Sequence, residues 1–449
     1  MALYSRQAHE SPFWNPYLET MPREQLDKIH LRRIQEIIKF AYDNVPMYRV
    51  LYDEVGLKPE DIKTLDDYHC KVPAIDKGTV LRFQEKNRPF GDAVVKDCDE
   101  LMNMFFMTSG STGKPLMEPG NYRDGAMGNS WTPQFWAHGI RPGDSFYVAF
   151  PFGTFMAFWA AYYDALHLGA KVITAGGLDT AARVRQIIDL KPTVLLATPT
   201  YALRLAEVGR EMGFDMTKTS IKWVTTAGEA GSVIPYIKTS LEKAWGAKAM
   251  DLYGISELWG STSWQCPVHA NRMHATESIF YGIVVDEDGK LVPDGGEGEY
   301  LITSYTASLM PLIKYRTRDK VRWSHEPCEC GRTWMWLDGG VLGRSDQMIV
   351  IKGTNVYPTG VQAIIGDIEG LSSHFEIHVR KGNDGDAVDV KVEPKEDISE
   401  EEVQKLTQKT VEELRRLIGV RIGVEIVKIG SLPRFEQKAK IVFDHRREG

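Results

Sequence analysis

Between residues 145 and 253 the chain alternates short apolar runs with segments of helical periodicity, and nothing else constrains its fold as strongly. Strand-like runs at 145–150, 171–174, 193–198, 221–226 and 248–253 are separated by helical patterns at 155–168, 180–190, 201–212 and 233–245. Strands joined by helical crossovers pair in parallel, and the helices then cover the faces of the sheet. In such sheets ligands collect at the carboxyl ends of the strands. The informative segments are therefore the loops that follow: Pro151-Phe-Gly-Thr154, Pro199-Thr-Tyr201, Ala227-Gly-Glu-Ala230 and Tyr253-Gly-Ile-Ser-Glu257.

A chain of 449 residues is too long for one core and suggests two or three domains, with one large and one small favoured. The first hundred residues read as mainly helical. The segment 23–42 spaces Leu26, Ile29, Ile34, Ile37, Ile38 and Ala41 at helical intervals, and Asn44-Val-Pro46 stops it. From about Ser278 the texture is β-rich, with hairpin signals at Asp286-Glu-Asp-Gly289 and Asp294-Gly-Gly296. After Gly343 the order strand (347–351), helix (359–368), strand (375–380), strand (387–392), helix (399–417), strand (424–428) predicts a compact α+β module. The expected class is α/β. A large N-terminal domain (1–343) would have parallel-rich sheets and a β-rich subdomain, followed by a small, mobile α+β C-terminal domain (344–449).

The formal net charge of −7 argues against a nucleic-acid surface, which would show a basic stripe. No apolar run reaches the ~18–20 residues of a membrane span. The start Met1-Ala-Leu-Tyr-Ser-Arg has no charged segment leading into an apolar one, so no secretory signal is expected and cytoplasm is the default compartment.

The stretch Thr108-Ser-Gly-Ser-Thr-Gly-Lys-Pro115 follows an apolar run, residues 102–107, and reads as a tight loop after a buried strand. Gly110 and Gly113 let successive N–H groups converge on an anion. Thr108, Ser109, Ser111 and Thr112 offer hydroxyls, and Lys114 supplies a point charge for phosphate oxygens. Polyphosphate is the natural ligand. The spacing is not that of a P-loop: Gly113-Lys114 is followed by Pro115, and Thr108 stands where the first glycine belongs.

Further along, Tyr253-Gly-Ile-Ser-Glu257 ends a strand with an aromatic that can stack on a purine and a carboxylate suited to Mg²⁺. Tyr315-Arg-Thr-Arg-Asp319 places an acid where it can accept both hydroxyls of a ribose. Gly343-Arg-Ser-Asp346 reads as a flexible joint carrying an arginine, and Pro433-Arg-Phe-Glu-Gln-Lys-Ala-Lys440 as a lysine-bearing loop. Cys266-Pro-Val-His269 and Cys328-Glu-Cys330 supply four ligands of the kind that suit tetrahedral structural Zn²⁺, with His274 competing for the fourth place. Five cysteines in so long a chain do not make a disulfide scaffold.

Taken in order, these motifs resemble the successive signatures of the adenylate-forming superfamily of acyl-CoA synthetases, adenylation domains and luciferases. Within it, Val45-Pro-Met-Tyr-Arg49, Gly343-Arg-Ser-Asp-Gln-Met-Ile-Val-Ile-Lys-Gly353, Asn355-Val-Tyr-Pro358 and Leu432-Pro-Arg-Phe-Glu-Gln-Lys438 resemble phenylacetate-CoA ligases. The resemblance implies that Thr108, Ser109, Gly110, Ser111, Thr112, Gly113 and Lys114 hold the β- and γ-phosphates of ATP. Ala227, Gly228, Glu229 and Tyr253 would border adenine, with Gly254 in the same set. Ser256 would face the α-phosphate and Glu257 would bind Mg²⁺. Asp319, assisted by Arg344, would take the ribose. Asp346 would be the hinge, Gly353 would line the pantetheine tunnel of coenzyme A, and Lys438 would reach the carboxylate and α-phosphate. Relatives with a similar cysteine pattern look like zinc proteins, implying Zn²⁺ on Cys266, His269, Cys328 and Cys330.

Two departures from the family pattern stand out. Glu436-Gln-Lys438 replaces Glu-Gly-Lys, which leaves Lys440 as a rival to Lys438, and the 227–230 loop lacks the proline common after its glutamate. The implied activity is an AMP-forming aryl-CoA ligase whose partners are ATP, CoA and a small aromatic acid of the phenylacetate, indoleacetate or benzoate type. Phe152, Phe155, Trp159, Tyr162 and Trp259 lie in or beside segments that border the acyl pocket in the family. The same signatures also suit an adenylating enzyme with another acceptor, as in coenzyme F390 synthetase relatives, or a nucleotide-binding protein without catalysis. The sequence admits a homodimer.

Overall fold

The computed structural model describes residues 10–108, 114–121, 130–150, 152–305, 309–345, 348–351, 354–382, 385–435 and 440–446. The chain opens with helices. Arg23–Asn44 buries Leu26, Ile34, Ile37, Ile38 and Ala41 along one face and stops at Val45, after which Pro46 occupies the first turn of Pro46–Glu54. Proline there costs nothing, because that N–H would be unpaired anyway. A hairpin of β1 (Met104–Met107) and β2 (Met117–Gly120) then flanks the phosphate-loop sequence.

The alternating region folds as its periodicity predicts. Strands β3 (Ser145–Val148), β4 (Lys171–Thr174), β5 (Val194–Ala197), β6 (Trp223–Thr226) and the first half of β7 (Lys248–Ile255) pair in parallel, in the order β4-β3-β5-β6-β7. The helices Met156–Leu168, Thr180–Leu190, Pro199–Glu211 and Pro235–Trp245 make the crossovers. Their starts are set by local chemistry: Asp179 accepts from the Ala182 N–H and Thr198 from the Tyr201 N–H. All four residues of β5 are buried, as a central parallel strand covered on both faces requires.

The β-rich part is not a separate sheet. Residues 248–251 of β7 pair in parallel with β6, while residues 252–255 pair antiparallel with β8 (Gly260–Gln265). From there β9 (Arg272–Ala275), β10 (Phe280–Val285), β11 (Glu297–Ser304), β12 (Tyr315–Ser324) and β13 (Trp336–Arg344) complete one eleven-stranded sheet. One strand thus belongs to both halves, and the Tyr253 loop lies at their junction.

Beyond β13 lies a hairpin of β14 (Ile349–Ile351) and β15 (Thr354–Val356). A four-stranded sheet of β16 (Leu371–Gly382), β17 (Gly385–Pro394), β18 (Gly423–Ile426) and β19 (Val442–Asp444) follows, backed by helices Pro358–Asp367 and Glu400–Ile418. This part has its own apolar core, including Val361, Ile365, Ile377, Val390 and Leu414. It rests on the larger part where Gly366 meets the Tyr236 ring and the Thr359 hydroxyl donates to the Leu342 carbonyl at 2.6 Å. Strands β15 and β19 were not expected; each is three residues long, too short for a period to register. Among the described residues no helix is long and apolar enough to cross a membrane.

Beneath the 227–230 loop, Asp251 on β7 is buried and accepts from the Thr226 hydroxyl at 3.0 Å. Burial pushes its carboxyl up to about 7, against the hydrogen bonds from Thr226 and nearby backbone N–H groups. Because the folded value lies above the unfolded one, the native state holds the extra proton. The stability gained is complete below about pH 4 and is lost as pH rises through about 7. Asp251→Asn is therefore expected to flatten the pH dependence of unfolding in that window, where wild type loses up to ~1.4 kcal/mol per pH unit. Denaturant unfolding of both proteins across that range checks it, and parallel curves contradict it.

Candidate active site

Strand pairing brings three of the predicted motifs together, with Asp319 in the middle of its strand and not at the strand end expected for it. Tyr253, on the shared strand β7, donates its hydroxyl to Asp319 on β12. Asp319 is a cross-strand neighbour of Arg344 on β13, whose guanidinium lies 3.2 Å from its second oxygen. The Thr317 hydroxyl accepts from the Asp319 N–H at 3.0 Å, which fixes the turn into the acid. Burial and the adjacent Asp319 charge hold the Tyr253 hydroxyl protonated, far above its usual range. Gly254 has no room for a Cβ because the Gly260 carbonyl oxygen occupies that space. The strand thus turns tightly into Ser256 and Glu257.

Next to Glu257 stands a cation that the sequence reading missed. Lys77, in the first turn of the helix Lys77–Gln84, lies 3.9 Å from the Glu257 carboxylate and donates to the Thr108 hydroxyl at 3.1 Å. Thr108 also accepts from the Leu116 N–H at 3.0 Å and donates its own N–H to the Leu116 carbonyl, closing the neck of the phosphate loop. Asp76 caps the same helix by accepting from the Thr79 N–H, and it pairs with Arg318 at 2.7 Å. The Lys77 helix is therefore tied to the strand that carries Asp319. Nothing in the sequence near Lys77 advertises this role.

Other predicted residues are placed differently. Ala227 is buried, Gly228 adopts φ of 88°, and Glu229 accepts from the Thr200 hydroxyl at 2.7 Å, bracing one loop against the next. The Lys114 ammonium pairs with Glu85 at the surface. Ser109, Gly110, Ser111, Thr112, Gly113, Asp346, Gly353 and Lys438 lie outside the described residues. Lys440, the rival lysine, sits over the Phe443 ring at 4.8 Å.

Glu118 on β2 is a second residue that sequence reasoning missed, although a charge inside a short apolar strand was a usable signal. It is fully buried, and neither carboxyl oxygen has a hydrogen-bond partner among the described residues. Burial, reinforced by Glu257 and opposed by Lys77, raises its pKa far above the carboxylate range. Leaving a buried polar group unpaired costs about 1–3 kcal/mol.

An open cleft of about 520 Å³ is lined by Phe152, Trp159, Tyr162, Thr174, Gly176 and Gly177, beyond the ends of β3 and β4. Trp159 packs edge-on to Phe152 at 4.9 Å between centroids, and its indole N–H donates to the Gly153 carbonyl. Trp259 does not line this cleft. It is buried, edge-on to Phe106 at 5.6 Å, and its ring fills the space beside Gly120.

The cysteine motifs meet where β8, β9 and the connection from β12 to β13 come together. Cys266, His274, Cys328 and Cys330 offer ligand atoms that all lie within 4.8 Å of one another. Cys266 Sγ is 3.8 Å from Cys328 Sγ, and Cys330 Sγ is 3.2 Å from His274 Nε2. A tetrahedron built on Zn–S bonds of ~2.3 Å has edges of about 3.8 Å, so the donor set fits such an ion. The Cys330 thiol is pulled well below its usual range, chiefly by its hydrogen bond to Cys266. The fourth donor is His274 and not the expected His269. The 266–269 turn folds its Val268 and His269 N–H groups back onto Cys266 Sγ, and the His269 ring pairs with Glu329 at 3.3 Å. His274 is set on β9, between Trp264 of β8 and Trp336 of β13.

Comparison with known proteins shows the family and the fold. The model of the AMP-binding enzyme family matches residues 27–311, and that of the AMP-binding enzyme C-terminal domain matches residues 353–446. A phenylacetate-coenzyme A ligase of Escherichia coli (strain K12) is 32% identical over 436 residues, which are 96% of this chain and 97% of that protein. A crystal structure of 2-hydroxyisobutyryl-CoA ligase in its postadenylation state, with R3-HIB-AMP bound, superposes with a TM-score of 0.93 at 30% identity, covering 99% of this chain and 94% of the other. The same ligase with 2-HIB-AMP and CoA in its thioesterification state gives 0.73 at 30% identity, covering 98% and 93%. The overall arrangement is thus closer to the postadenylation structure. The chain belongs to the AMP-binding enzyme family, as a phenylacetate-CoA ligase-like member.

Proposed function

We propose that this chain is an AMP-forming ligase that joins an aromatic monocarboxylic acid to coenzyme A through an acyl-adenylate. The observation that carries the reading is a pair of clusters, Tyr253 with Asp319 and Arg344, and Lys77 with Thr108 and Glu257, tied together by the Asp76–Arg318 ion pair. Asp319 and Arg344 would take the ribose, Tyr253 and the 227–230 loop would border adenine, and the 108–114 loop would receive the β- and γ-phosphates. Similarity to phenylacetate-CoA ligases over nearly the whole chain supports the acid class, and the aromatic walls of the cleft agree with it.

In the first half-reaction an oxygen of the acid attacks the α-phosphorus. The acyl O–P bond forms, the bond to the bridging oxygen of the β-phosphate breaks, and pyrophosphate leaves with the electron pair. The substrate is itself the nucleophile, so the protein need only hold two anions together and neutralise the charge on the phosphoryl oxygens. Lys77 and Lys438 would supply fixed positive charge there. Mg²⁺ held by Glu257 would supply the remainder. In the second half the CoA thiolate attacks the acyl carbonyl, the C–S bond forms, the C–O bond to AMP breaks, and AMP departs. Lys438 must withdraw and Gly353 must enter the pantetheine path, which calls for rotation about Asp346. Lys440 is engaged by Phe443, which favours Lys438 for the first step.

The four-residue Cys/His cluster would hold structural Zn²⁺, bracing the turn between β12 and β13 rather than taking part in the chemistry. Purified protein is expected to carry about one zinc per chain, and the double variant Cys328→Ser/Cys330→Ser to lose both the zinc and thermal stability. Metal-free wild type with unchanged melting of the variant contradicts this.

A panel of aromatic acids with ATP and CoA tests the ligase reading: AMP, pyrophosphate and a thioester should appear in equal amounts. Lys438→Ala should lower adenylation by about 10²–10³-fold, the scale for removing one charge-stabilising donor. The same variant should convert supplied acyl-adenylate and CoA almost normally. Equal losses in both half-reactions refute the role of Lys438, and absence of pyrophosphate with every acid refutes the reading as a whole.

A further inference from the structure

Arg318 takes up no part of the nucleotide in the reading above, yet the fold holds its backbone under strain. Its φ is 65°, in the left-handed region that glycine enters freely and a residue with a Cβ avoids. A bulge in β12 puts it there: between the pairs Glu299–Lys320 and Leu301–Arg316, Tyr300 alone stands opposite residues 317–319. Bulges re-aim side chains, and strained backbone persists only where its surroundings enforce it. The Arg318 N–H donates to Glu299 at 3.1 Å, and its carbonyl accepts from the Ser345 N–H at 2.8 Å and the Ser345 hydroxyl at 3.1 Å. Its guanidinium donates to Asp76 at 2.7 Å. One residue thus touches the start of the Lys77 helix and the joint before Asp346, and Asp319 follows it directly in the chain.

The bond to Asp76 divides that carboxylate between two tasks. Its Oδ1 caps the helix by accepting from the Thr79 N–H and hydroxyl, both at 2.9 Å, while its Oδ2 takes Arg318. Just before it, the Ile75 N–H donates to the Lys314 carbonyl at 3.2 Å, and the Ile75 carbonyl accepts from the Arg316 N–H at 2.8 Å. The segment that delivers Lys77 is therefore fastened to β12 by backbone at Ile75 and by side chain at Asp76. Stability does not account for the arginine. Its side chain is 42% exposed and that of Asp76 32%, and pairs so exposed add little, whereas glycine at 318 would relieve the backbone. Resting on the ligase reading above, we propose that Arg318 is a positioning residue for Lys77. Through Asp76 it fixes the spacing between the ammonium that meets the phosphates and the acid, Asp319, that holds the ribose.

The experiment follows pyrophosphate release with ATP, Mg²⁺ and the most active acid among phenylacetate, indoleacetate and benzoate. Arg318→Gly is expected to melt no lower than wild type. Its kcat should nevertheless fall by about 10–10²-fold, the scale for a small misplacement of a reacting group, with KM for ATP little changed. Arg318→Lys, which keeps a cation, should recover part of the loss. Lys77→Met should lower kcat by about 10²–10³-fold, and adding Arg318→Gly to it should cost nothing more, because the two residues act as one unit. Should Arg318→Gly fail to fold, Asp76→Asn replaces it in the same cycle with Lys77→Met, since asparagine keeps the cap and loses the charge.

An unchanged kcat in folded Arg318→Gly overturns the proposal. So do losses that multiply in the double variant, or a loss confined to KM for ATP, which would put the effect of Arg318 on Asp319 and the ribose. Wild type that releases no pyrophosphate with any acid would defeat the ligase reading instead.

Discussion

The hydrogen bond from Tyr253 to Asp319 connects two parts of the chain that fold by different rules. Tyr253 ends a strand whose first half is parallel and whose second half is antiparallel, and Asp319 belongs to the antiparallel meander that follows. Because β7 serves both halves, one continuous sheet carries both residues, and the distance between them is fixed by strand pairing instead of by a flexible interface. Arg344 at the end of β13 extends the chain of contacts to the last strand before the small C-terminal part begins. Any movement of that part therefore starts from a residue already bonded to the site.

The charges around this junction bear on the nucleotide site proposed for it. Lys77 answers Glu257, Arg344 answers Asp319, and Arg318 pairs with Asp76. Lys77 and Arg318 are coupled through the helix that Asp76 caps, so both are positioned before any ligand arrives. A polyanion entering such a place needs cations that are already in position, because reorienting them during the reaction would itself cost energy.

Much of this was legible because parallel strands and crossover helices leave a strong periodic trace. The helices Thr180–Leu190 and Met156–Leu168 and the strands Lys171–Thr174 and Trp223–Thr226 fall within two residues of where their patterns placed them. The contiguous motifs were partly readable: Tyr253 and Glu257 stand at the end of β7 and in the turn after it, whereas Asp319, expected at a strand end, lies in the middle of β12, paired with Arg344. What was not legible depends on register and on distant partners. His269 was favoured because it closes a short Cys-to-His interval, yet strand pairing brings His274 to the thiols and leaves His269 in the turn. Lys77 and Glu118 lie outside any motif, and only the packing of the 77–84 helix sets Lys77 beside Glu257, as only the β1–β2 hairpin buries Glu118. The single sheet was read as separate parts because no sequence pattern records that one strand pairs in two directions.

The central claim is that these strand ends form one nucleotide site and that its α-phosphorus is the atom attacked. A crystal structure of the protein with its acyl-adenylate tests that most directly. The ribose hydroxyls should lie on Asp319, the adenine between Tyr253 and the 227–230 loop, and the acyl phosphate beside Ser256 and Lys77. A nucleotide bound elsewhere, with the Tyr253 to Asp319 bond untouched and its surroundings empty, would contradict the account.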